Sequence, residues 1–83
     1  MSSELQEIEN LIARMALKDR AAFRNLYSRT SAKLFGVILR VLDDRAEAED
    51  VLQDVYVKIW NNADRYRANG LSPMTWLISI ARN

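Results

Sequence analysis

An all-α fold, a small helical bundle of three long helices and a shortened fourth, is predicted by three features of the sequence. Apolar residues recur at spacings of three and four through most of the chain. The 83 residues include only two Gly and one Pro, too little turn chemistry for a set of hairpins. Asp or Ser stands where three of the helices are expected to begin, at Asp19, Asp44 and Ser72. The length suits one compact domain over residues 1–83. A composition of 49% apolar and 28% charged residues is that of an ordinary globular protein and argues against disorder along the whole chain.

The first helix is expected over about residues 4–16. Ser3 and Gln6 form a capping-box pattern, and Leu5, Ile8, Leu11, Ile12, Met15 and Ala16 follow on one face. A break at Lys18 and Asp19 leads into a second helix, with Asp19 as N-cap. Its apolar face comprises Ala22, Phe23, Leu26, Tyr27, Leu34, Phe35, Ile38, Leu39 and Leu42. Residues 28–31 offer that helix a place to bend without ending it. Asp44 caps a third helix, with Glu47 in its first turn, where an acid suits the positive helix end. Here Ala48, Val51, Leu52, Val55, Tyr56, Ile59, Trp60 and Ala63 form the clearest stripe in the chain, opposite Asp43, Glu47, Asp50, Asp54, Lys58 and Asn61. The pattern lapses over residues 61–72, where Asn69 and Gly70 signal a turn. Ser72 and Pro73 then open a fourth helix carrying Met74, Trp76, Leu77, Ile80 and Ala81. The sequence stops barely three turns into it, and it reads as the N-terminal part of a longer protein.

Without Cys or His, the chain has no disulfide framework, thiol nucleophile, Cys/His zinc site or His general base. No cofactor is expected. No apolar run approaches the ~18 to 20 residues that span a bilayer, and the acidic N-terminus lacks the apolar core of a secretion signal. A cytoplasmic setting is therefore the expectation. The net charge of +1 hides segregation. Residues 14–40 carry seven bases against Asp19, whereas residues 43–54 carry six acids against Arg45. Such blocks suit separate surfaces for separate partners, although helix packing can also fold opposite blocks together.

Three constellations bear on function. Glu47, Glu49 and Asp50 resemble the paired carboxylates that hold magnesium in all-helical nucleotide hydrolases, but hard cations need more oxygens than one helix presents, and the neighbouring helix offers bases. A solvated or partner-binding acidic face is the better account. Val57 falls outside the core stripe beside Gln53 and Asp54, either as an isolated surface valine or as part of a docking face. Arg65, Tyr66 and Arg67, followed by Trp76, interleave cations and rings as single-strand nucleic-acid sites do. Trp76 itself fits the core better than a stacking platform, and Tyr66 fits either role.

The segment from Asp43 through Glu49, Asp50, Val51, Leu52, Gln53, Asp54 and Val55 to Trp60, and the segment from Thr75 through Trp76, Leu77, Ile80 and Ala81 to Asn83, carry a family resemblance. With Asp19, Ala22, Phe23, Leu26 and Tyr27 upstream, the chain strongly resembles region 2 of bacterial sigma factors of the extracytoplasmic-function (ECF) group, in the sigma-70 superfamily. The resemblance implies a promoter-specificity subunit of RNA polymerase and no enzymatic activity of its own. It places positions matching Asp50, Gln53, Asp54 and Val57 on the clamp helices of the largest polymerase subunit. It places Tyr66, Arg67 and Asn83, with Arg65 beside them, near the melted non-template strand of the minus-ten promoter element. A linker and a region 4 module, expected in the family, are absent from this sequence. Many relatives are held inactive by an anti-sigma factor that covers the docking face; the sequence names none for this chain. The rival readings are the magnesium-dependent nucleotide hydrolase and a protein-binding adaptor without DNA contact.

Overall fold

A computed structural model describes residues 4–66 and 72–82, with side chains described over residues 6–66 and 72–81. Its elements are helices α1 (Glu4–Ala16), α2 (Arg20–Leu42) and α3 (Arg45–Asn62), a 310 turn (Ala63–Arg65) and helix α4 (Pro73–Arg82). Among the described residues the fold is all-α. The expected capping box at Ser3 lies outside the described residues.

Local chemistry sets each helix boundary. The αL conformation of Lys18, at φ 68°, ends α1. The Lys18 N–H donates to the Met15 carbonyl at 2.8 Å and the Asp19 N–H to the Arg14 carbonyl at 3.2 Å, the paired bonds of a Schellman motif. The Asp19 carboxylate then accepts from the Ala22 N–H at 3.1 Å and starts α2. That bond and the neighbouring Arg14 guanidinium hold the Asp19 carboxyl below the usual carboxylate range. At the other end of α2, Asp43 turns left-handed at φ 53° and its N–H donates to the Leu39 carbonyl. Asp44 accepts from the Glu47 N–H at 3.0 Å to begin α3. The Ser72 hydroxyl accepts from the Met74 N–H at 3.1 Å, ahead of Pro73, which fills a helix position that needs no donor.

The core is a single cluster fed by all four helices. α2 and α3 form its central pair, α1 lies against α2 and the 310 turn, and α4 closes on α2 and α3. Ile12, Met15, Leu26, Leu34, Ile59 and Leu77 are fully buried. Each such side chain contributes about 1.5–3 kcal/mol through removal of its apolar surface from water.

α2 departs from the expected stripe at two places. Its buried ridge takes every fourth residue, Ala22, Leu26, Thr30, Leu34 and Ile38. Each step of four advances roughly 40° around the axis, so Tyr27 falls at the edge and is 41% exposed. Thr30 sits inside, at the place where a bend was conceivable. Its hydroxyl bonds the Leu26 carbonyl at 2.7 Å and meets the Tyr56 hydroxyl across the helix pair. The polar group is therefore satisfied within the core, and α2 runs on unbroken. Burial pushes the Tyr56 phenol up to about 12.

Candidate functional site

The outward surface of α3 is fixed by what its inward surface buries. Ala48, Leu52, Val55, Tyr56 and Ile59 are buried, and Val51 and Trp60 are half-buried at the two edges of the stripe. Asp50, Gln53, Asp54 and Val57 fall within an arc of roughly 100° on the other side. All four are exposed, Val57 to 59%. Glu47, Lys58 and Asn61 are exposed as well. Neither Asp50 nor Asp54 has an ion-pair partner among the described residues, so neither carboxylate is neutralised by direct contact.

The seam between α2 and α3 adds shape to that face. A cleft of about 390 Å³ is lined by Tyr27, Ser31, Ala32 and Phe35 from α2 and by Arg45, Glu49, Leu52 and Gln53 from α3. Arg45 lies over the Phe35 ring at 5.5 Å and approaches Glu49 at 3.8 Å. Tyr27 leans on Tyr56, ring centroids 4.7 Å apart. Gln53 thus stands between an acidic ridge and an aromatic-walled groove. The exposure of Tyr27 helps build this groove, and the spacing of apolar residues gave no sign of it, because the groove needs two helices.

The second set of predicted residues is divided. Arg65 is exposed at the end of the 310 turn, and Tyr66 follows it in extended conformation. Arg67 and Asn83 lie outside the described residues. The Tyr66 ring packs edge-on against Trp76, centroids 5.2 Å apart, and its hydroxyl is shielded from solvent. Burial raises the Tyr66 phenol above its ordinary value, with a smaller contribution from Glu9. Tyr66 and Trp76 both pack on the edge of the core. The structure therefore brings together the two aromatics singled out by sequence, as one half-buried corner where the 310 turn meets α4.

No three or more Asp or Glu side chains among the described residues converge as a metal site requires, so the magnesium-hydrolase reading gains no support from them. Nor is any helix of the described residues long and apolar enough to cross a membrane.

Comparison with known proteins adds a separate line of evidence. The family model for sigma-70 region 2 matches residues 26–83. An ECF RNA polymerase sigma factor SigK from Mycobacterium sp. strain KMS is 36% identical over 75 residues, covering 90% of this chain and 39% of that protein. The SigK of Mycolicibacterium vanbaalenii is 37% identical over 75 residues, covering 90% of this chain and 38% of the relative. The SigK of Mycobacterium bovis BCG is 32% identical over the same length, covering 90% and 40% respectively. The chain spans about two fifths of the length of these relatives.

Proposed function

The chain belongs to the sigma-70 region 2 family, in its ECF branch, and from that premise we propose that it joins RNA polymerase core to promoter DNA at transcription initiation. Asp50, Gln53, Asp54 and Val57 dock on the clamp helices of the largest polymerase subunit. Arg65, Tyr66, Arg67 and Asn83 face the melted non-template strand of the minus-ten element.

The observation that carries this reading is the free outward face of α3, whose four candidate residues are exposed while the other side of the same helix builds the core. An acidic ridge steers a cationic rod during approach, and the Val57 side chain supplies apolar area to bury once it arrives. The groove beside Gln53 gives the rod a second wall.

Promoter opening is an exchange of interactions. Extruding a base costs a few kcal/mol of stacking and pairing, which ring contacts and phosphate contacts must offset. Arg65 has the exposure to meet a phosphate. Tyr66 has a ring at the surface edge of the bundle, held in place by Trp76. No bond is made or broken by this module, and the chemistry is left to the polymerase.

Titration of polymerase core with the chain and with the Gln53→Ala, Asp54→Ala double variant tests the docking assignment. The variant is expected to bind at least about tenfold more weakly, a loss of about 1.4 kcal/mol or more. Unchanged affinity would remove the α3 face from the interface. Capture of some other partner, with no affinity for polymerase core, would favour the adaptor reading.

A further inference from the structure

A second cleft, of about 360 Å³, opens further along the α2–α3 seam, where the start of α2 meets the last turns of α3. Its lining is Arg20, Phe23, Arg24, Val57 and Trp60. The charge of this end is opposite to that of the α3 ridge. Arg20 and Arg24 are exposed and have no ion-pair partner among the described residues. Asp19, the adjacent acid in sequence, is engaged by Arg14 and by the Ala22 N–H. Lys18 adds a third cation, its ammonium 5.3 Å from the Trp60 ring centroid.

The floor of the cleft is apolar, and its rings already make contacts of their own. Lys18 lies over the Trp60 ring, and Phe23 meets that ring edge-on at 5.3 Å. Phe23 is also packed edge-on against Tyr56 at 6.2 Å. With Lys18 over the Trp60 ring and Phe23 edge-on to it, part of the aromatic surface is already engaged, which leaves less of it for the base stacking that single-stranded nucleic acid uses. What it offers is the exposed Val57 and the ring edges as an apolar seat, below a rim of unpaired guanidinium groups.

We infer that this cleft receives an acidic polypeptide segment of a partner protein, with one bulky apolar side chain seated among Phe23, Val57 and Trp60 and flanking carboxylates paired with Arg20 and Arg24. Guanidinium forks match carboxylates in bidentate geometry. An apolar anchor inside a charged rim is the usual anatomy of a short-segment docking site. The cleft shares Val57 with the proposed docking face, but its charged rim is of the opposite sign and the partner it suits is of the opposite chemistry, so reversal of Arg20 and Arg24 tests it without touching Asp50, Gln53 or Asp54.

The test titrates the full 83-residue chain with a fluorescein-labelled glutamate peptide carrying a single central leucine, followed by anisotropy and by tryptophan emission. Saturable binding is expected, weakened about tenfold or more by the Arg20→Glu, Arg24→Glu pair and to a similar extent by Val57→Asp. The Lys33→Glu, Arg40→Glu pair makes the same change in net charge at two exposed positions outside the cleft and should leave the affinity unchanged. Circular dichroism of each variant should match the parent, because the substituted side chains are exposed. Equal losses from the two charge-reversal pairs, or binding that never saturates, would overturn the inference. So would an oligothymidylate that displaces the peptide and itself loses affinity when Arg20 and Arg24 are reversed.

Discussion

The outward face of α3 and the Tyr66–Trp76 corner relate to the fold in different ways. Asp50, Gln53, Asp54 and Val57 make no contribution to the core; α3 is held by residues on its other side. Tyr66 and Trp76 pack on the core and on each other while also standing where a nucleic-acid contact is proposed. On the proposed function, substitutions on the first surface are expected to change binding alone, whereas substitutions at the second are expected to change binding and stability together. Any assay of the corner needs a stability measurement beside it.

The sharpest break of that contrast comes from the inward side of α3. Ile59→Ala is expected to cost about 2–5 kcal/mol, enough to unfold much of so small a domain and to abolish every binding activity at once; a thermal melt checks it. Tyr66→Ala should lower stability by about 1–3 kcal/mol, since it removes a half-buried ring and its contact with Trp76, and should impair minus-ten opening more than polymerase binding. Equal losses in both binding assays, tracking the melt, would make Tyr66 a structural residue only. Thr30→Val keeps the volume but strands the buried Tyr56 hydroxyl, for an expected loss of about 1–3 kcal/mol, read by chemical denaturation.

The same hydroxyl sets an alkaline limit. A phenol raised from an ordinary value of 10.0 to about 12 is stabilising below the unfolded value, and that contribution is lost as pH rises from 10.0 through about 12. Tyr56→Phe should flatten this part of the stability profile, as measured by melts across that range. The smallest effect belongs to the Gln53→Ala, Asp54→Ala variant, whose stability should stay within about 0.5 kcal/mol of the parent. A larger loss would erase the distinction between the two regions.

Much of the architecture was legible because its determinants are local. Asp19, Asp44 and the Ser72–Pro73 pair announce helix starts through their own side chains. The α3 stripe names its buried members through a period that any straight helix shares. Legibility ended where a contact joined distant residues. Thr30, flanked by Arg29 and Ser31, carries no local sign of burial, and its partner Tyr56 lies 26 positions away. The signal that could have found it is the run of every fourth residue from Ala22 to Ile38, in which Thr30 is the only polar member. The candidate docking residues were separable from the core by periodicity, and the resemblance gave them a partner. The two clefts along the α2–α3 seam escaped notice because neither helix contains one by itself.

The Thr30–Tyr56 bond bears on how the docking face can diverge between related proteins. Apolar contacts are nearly indifferent to a small roll of one cylinder on another, whereas a hydroxyl pair at a single height tolerates neither roll nor slide. It works as an index pin. With α3 locked in azimuth against α2, the ridge from Asp50 to Val57 can change its side chains one at a time to suit a different partner surface without shifting the direction in which the others point.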